Sequence, residues 1–314
     1  MRMIKPASIL PANLTSNVPE TDAPAWAAGT YKTGDRVVKN NHLFESLADN
    51  NTTDPAADSA TVPKWLDTGA TNRWRMFDKS AGQVVTLGSG KVQRRVSKIG
   101  TFTTNPNTID ITIKPGTVIN GLALFGLVGY QVTVTMNDPV DGVVYGPEIV
   151  SLVDPTAGDM WEWLFTDVGR VDSFCLTDLP AYGTATIRIV IEAGQGGTAQ
   201  CDMAVVGKVV DLGEALMGIN FGITDFSAKE VDTFGNEYVA EGGYRYKVTY
   251  PIAIYPDLIT SFKRLLIEYR AKPAVWIGDE DREWSLIYGR YRDLNVVTPH
   301  DAFSECTLEV GALN

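Results

Sequence analysis

Thr108-Ile-Asp-Ile-Thr-Ile-Lys114 sets an isoleucine at every second position, the period of a strand with one buried and one wet face. The alternation returns in Val132, Val134 and Met136, and again in Ile187, Ile189 and Ile191. Turn signals separate the runs: Asn137-Asp-Pro139, Asp141-Gly142 and Gly194-Gln-Gly-Gly197. Period two at this spacing predicts a β-sandwich over residues 79–207.

Outward from that centre the pattern changes on both sides. Toward the C terminus, strand-like segments such as Tyr244 to Tyr250 precede one helical stretch. There Leu258, Ile259, Phe262, Leu265, Leu266 and Tyr269 fall on one face, Asp257 is placed as the N-cap, and Pro273 stops the helix. Val275-Trp-Ile277, Trp284 to Tyr288 and Cys306 to Val310 then resume as strands, so residues 208–314 read as an α+β unit with one long helix. Toward the N terminus, Trp26, Tyr31, Phe44, Trp65, Trp74 and Phe77 crowd into residues 23–78, which read as a small aromatic-rich β module. Residues 1–22, rich in Pro, Asn, Thr and Ser without periodicity, are expected to form an extended arm that another surface orders. The fold expected is mainly β and multidomain.

Composition narrows the function. With 314 residues, 44% hydrophobic and 21% charged, the chain can bury several cores. Its net charge of -11, with no run of Lys and Arg, argues against a nucleic-acid partner. The longest apolar run, Gly121 to Gly129, is far short of the ~20 residues that span a bilayer, so no membrane insertion is expected. Pro6 and Pro11 interrupt the start before a signal peptide of ordinary length develops, and synthesis in a reducing cytoplasm follows as an expectation. Cys175, Cys201 and Cys306 lack metal-site spacing and read as buried thiols.

The chain offers little for catalysis. It has two histidines, His42 and His300, and neither accompanies a nucleophile elbow. The carboxylates Asp279, Glu280, Asp281 and Glu283 read as a solvated hairpin turn rather than a glycosidase pair. Gly194 to Gly197 lacks the Lys and Ser/Thr of a phosphate loop, and Asp138 with Asp141 lacks the ligand spacing of a calcium loop. His42 reads as an exposed turn residue. The expectation is a non-enzymatic protein without metal or other cofactor.

The aromatic module has a distinctive order: Trp26-Ala-Ala-Gly-Thr-Tyr31-Lys-Thr-Gly34-Asp35-Arg-Val37, a small turn through Asn41 and His42, Phe44, and a closing Trp65-Leu-Asp67. It resembles the chitin-binding type-3 family of carbohydrate-binding modules. That resemblance implies a sugar-binding fold with Trp26, Tyr31, Phe44, Trp65 and Trp74 as candidate carbohydrate-binding residues, because the C–H face of a pyranose stacks on a flat aromatic ring. The same residues equally suit the module's own core, and Trp74 suits packing between domains, where Arg73 and Arg75 are placed to clamp acidic sugars. Where the family often carries exposed aromatics, this chain has Glu45-Ser-Leu-Ala-Asp49-Asn50-Asn51, which leaves the ligand open.

The carboxy-terminal stretch, residues 208–314, resembles a tail-component family of bacteriophages and prophages. The likeness rests on Asp211-Leu-Gly213, Ile223-Thr-Asp225-Phe226-Ser227, Asp232-Thr-Phe234-Gly235-Asn236, Ala274-Val-Trp276-Ile277-Gly278, Ile287-Tyr288-Gly289 and Cys306-Thr-Leu-Glu-Val-Gly311. Val118 to Leu127 with Val132 to Thr135 is similar to galactose-binding-like jelly-roll sandwiches. Together these imply a virion protein of the tail tip or baseplate, present in several copies, contacting other tail proteins and, through its module, a bacterial surface polysaccharide. The alternatives are a purely structural tail protein whose module makes only protein contacts, and a secreted polysaccharide-binding protein.

Overall fold

The computed structural model describes residues 1–58, 63–79, 84–86, 92–94, 102–153, 169–231, 237–280, 282–297 and 303–313; Asp281, His300 and the segment 232–236 lie outside them. The architecture is mainly β and multidomain, with several sheets, one of them a curled half-barrel, and among the described residues a single long helix.

The strands read from alternation form one five-stranded sheet. Its order is Gly142–Ser151, Gln131–Asp138, Thr186–Glu192, Thr108–Ile113 and Leu14–Ser16. Register pairs Val132, Val134 and Met136 with Ile191, Ile189 and Ile187, and these in turn with Ile109, Ile111 and Ile113. All nine side chains therefore share one face, and all are buried. They pack against Leu122, Leu124, Ala204 and Val206, which belong to a second, larger sheet.

That sheet has ten strands. Its path runs Phe174–Leu176, Gly121–Phe125, Met203–Asp211, Arg2–Pro6, Ala274–Ile277, Leu286–Val297, Ser304–Ala312, Tyr244–Ile254 and Glu214–Ala215, with Asn220–Asp225 also pairing Tyr244–Ile254. Two expectations are corrected here. The N-terminal residues are not an unpaired arm: Arg2–Pro6 lies between Met203–Asp211 and Ala274–Ile277, with Met3 and Ile4 fully buried on opposite faces. The boundary between residues 207 and 208 falls inside the strand Met203–Asp211, so the sheet runs through both expected domains. Five residues were too few for a periodic signal, and Met3-Ile4 is silent until its partners, some 200 residues away, are known.

The helix, Pro256–Glu268, lies on the C-terminal half of this sheet. Pro256 occupies its first turn, where a missing N–H costs nothing, and Tyr255 rather than Asp257 is the N-cap. Asp257 sits in the first turn, facing the positive end of the helix dipole. Phe262, Leu265, Leu266 and Tyr269 pack on Met3, Tyr250, Ile252, Trp276, Leu308 and Val310 as expected, whereas Leu258 is about half exposed.

Candidate functional site

The module is a three-stranded antiparallel sheet, Arg36–Lys39, His42–Ser46 and Trp65–Ala70. Its first turn is Asn40-Asn41 with φ of 51° and 66°, the left-handed pair that lets a two-residue hairpin follow the strand twist. Register sets Val37 opposite Phe44 on the inner face. Trp65 is fully buried beneath them, its indole N–H donating to the Thr53 carbonyl at 2.8 Å. The Asp58 carboxylate accepts from the backbone N–H groups of Lys64 and Trp65 and fixes the start of that strand.

Four of the five candidate residues meet in this core. Tyr31 approaches Trp65 edge-on with ring centroids 5.2 Å apart, and its hydroxyl donates to the Ala27 carbonyl at 2.7 Å. Trp26 and Tyr31 pack as partly buried flanks on Val37, Phe44 and Trp65. The Lys39 ammonium lies 3.8 Å from the centre of the Trp26 ring and also pairs with Asp54, so one face of that indole is covered by a cation. Phe44 and Trp65 are core residues and present no open ring face to a sugar; any stacking by this module falls to Trp26 and Tyr31.

Trp74 is elsewhere. It is buried in the turn segment after the module, edge-on to Phe77 at 6.0 Å, while Met76 enters the core shared by the two large sheets. This segment is a joint. Met76 carbonyl accepts from Ala204 N–H, and Asn72 exchanges hydrogen bonds with the Thr104 backbone. The flanking arginines do not face an anion-binding surface: Arg75 pairs with Asp22 at 3.0 Å, and Arg73 donates to the Val18 carbonyl beside Glu20. Both carboxylates come from the N-terminal segment, which the joint thereby ties down.

His42 is the feature that the sequence did not reveal. Instead of an exposed turn position it begins the second strand of the module, with its ring between two carboxylates. Nδ1 lies 3.0 Å from Asp67 and Nε2 3.1 Å from Asp78. The hydrogen bonds to Asp67 and Asp78 hold the imidazolium and raise its pKa to about 10 against the opposing effect of burial. Asp67 belongs to the module and Asp78 to the far end of the joint, so the ring fastens one to the other. Asp67, two residues past Trp65, was visible as a residue; that its strand pairing, opposite Phe44, would bring its carboxylate to the His42 ring was not.

The acidic turn also differs in part from expectation. Glu280 pairs with Arg2 and accepts from Thr177, Asp279 pairs with Arg282 at 3.1 Å, and Glu283 accepts from the backbone N–H groups of Asp172 and Ser173 at 2.9 and 3.0 Å. Glu283 docks the turn on Asp172 and Ser173, while Asp279 and Glu280 keep about 40% of their side chains in solvent as expected. Burial, with the neighbouring Asp172, raises the Glu283 pKa. Burial also pushes the thiols of Cys175 and Cys201 up to about 12 and that of Cys306 up to about 11, which makes them poor nucleophiles. Among the described residues no three His, Cys, Asp or Glu side chains converge as a metal centre. Comparison with protein-family models, with curated proteins and with solved structures finds nothing that matches this chain.

Proposed function

We propose that this chain is a non-enzymatic structural component of a phage tail tip or baseplate, assembled in several copies in a virion and held by neighbouring tail proteins. The observation that carries the reading is a two-stranded arm. Among the described residues Asn220–Asp225 pairs only with Tyr244–Ile254, and from Tyr246 back to Tyr244 the latter strand has left its other neighbour, Ser304–Ala312. The hairpin continues through Ala228–Val231 and Glu237–Ala240. Along it Ile223, Phe226, Val239 and Tyr244 are each more than half exposed. An edge strand with unpaired backbone groups beside exposed apolar side chains is a surface made for another chain. Ile223 to Ser227, part of the resemblance to tail components, lie on this arm, where Asp225 accepts from the Ser227 N–H at 2.9 Å and shapes the bend.

Within this reading the module is an appendage fixed through His42 and the joint. Burial of Phe44, Trp65 and Trp74 favours the variant in which it makes protein contacts; contact with a bacterial surface polysaccharide would rest on Trp26 and Tyr31. The finer jelly-roll description of the middle region and the carbohydrate-binding-module description of residues 23–78 belong to the same proposal. The test is incorporation. Ile223→Lys combined with Val239→Lys, introduced in the encoding phage or prophage, is expected to yield folded protein absent from purified particles. Normal incorporation of that variant, or absence of the wild-type chain from particles, defeats the proposal.

A further inference from the structure

A groove outside the module's aromatic core collects four exposed aromatic side chains. It has a volume of about 800 Å³ and lies between the base of the arm and the ten-stranded sheet. Phe102, Phe221, Tyr244 and Trp284 line it and are 40%, 48%, 55% and 43% exposed. Single exposed apolar residues are ordinary, but four aromatics from four separate segments converging on one groove are not. Their positions are fixed: Tyr246 stands between Phe221 at 5.8 Å and Tyr244 at 5.3 Å, and Trp284 sits on the short 3-10 turn that Glu283 anchors to Asp172 and Ser173.

Among the described residues the polar wall is rich in carboxylate acceptors. Glu241, Asp172 and Glu283 line the groove, and the cation among the described lining residues, Lys79, is paired with Asp202 at 2.5 Å. We infer that this groove binds a neutral or amino-bearing saccharide. Sugar C–H faces stack on the rings while hydroxyl or ammonium groups donate to the carboxylates, the combination of flat apolar walls and a few directed polar groups that small-ligand sites use. An anionic sugar meets like charge. A proline-rich peptide also stacks on aromatics, but it offers carbonyl acceptors and few N–H donors, the wrong partner for a wall of carboxylates. The inference goes beyond the tail assignment and does not depend on it: a failed titration leaves incorporation of the arm variants untouched.

The experiment is calorimetric titration of the full chain with β-1,4-linked hexamers of glucose, glucosamine and galacturonic acid. Binding of the glucose or glucosamine hexamer, and not of the galacturonic acid hexamer, is expected. Trp284→Ala and Tyr244→Ala should each weaken it by about tenfold, since loss of a stacked ring is worth roughly that factor. Trp284→Phe should retain most of the affinity, and Glu241→Gln should weaken the glucosamine hexamer selectively. These side chains are half exposed, so far-ultraviolet circular dichroism and the thermal midpoint should remain those of the wild type. The inference is overturned if neither the glucose nor the glucosamine hexamer binds, if the acidic hexamer binds as tightly, if the two alanine variants bind normally, or if a proline-rich decapeptide occupies the groove instead.

Discussion

Replacing His42 with Gln removes a cation held by two carboxylates while leaving a side chain of similar reach. The ring is 17% exposed, Asp67 19% and Asp78 38%, so the clamp is neither fully dry nor freely solvated. A pKa raised from 6.5 to about 10 sets a ceiling of about 5 kcal/mol on what the charged ring adds to the fold. Solvent reaching Asp78 screens much of that, and a working value is about 1–3 kcal/mol. Because the folded pKa is raised, the contribution is complete below pH 6.5 and is lost as pH climbs through about 10. The His42→Gln protein should therefore be less stable than wild type by that amount at pH 6, with the gap closing toward pH 10; groups common to both proteins cancel in the difference. Nuclear magnetic resonance gives the direct reading, since only two histidines contribute imidazole signals. The signal missing from the variant should titrate near pH 10. Titration near 6.5, or a stability gap that persists unchanged at pH 10, refutes the clamp.

Two further outcomes follow from packing. Trp65→Ala empties the centre of a small module and should cost about 3–5 kcal/mol; limited proteolysis should then cut within residues 23–78 while the ten-stranded sheet stays intact, and an uncut module would show that Trp65 is dispensable. Gly207 lies where Arg2–Pro6 meets its neighbour, and a Cβ there would stand 1.8 Å from the Lys5 carbonyl oxygen. Gly207→Ala should lower the thermal midpoint through a loss of about 1–3 kcal/mol, and an unchanged midpoint would mean that the N-terminal strand is not inserted as described.

Ile109-Asp-Ile-Thr-Ile113, Val132 to Met136 and Ile187 to Ile191 carried their strand identity in sequence, because a two-residue period reports one buried face without reference to the partner. The helix ending before Pro273 was legible because its end is set by local backbone chemistry, whereas the module's first turn, expected through Asn41 and His42, falls one residue earlier at Asn40-Asn41. The aromatic density of residues 23–78 announced a compact module, but burial is a property of all neighbours at once, and only the fold placed Trp65 inside and left Trp284 and Tyr244 open. His42 acquired its role from Asp67 and Asp78, 25 and 36 residues away. Arg2–Pro6 acquired its place from strands more than 200 residues distant. Local periodicity is written in the chain; which strands meet, and which side chains face one another across them, is decided by long-range pairing that no short window of sequence contains.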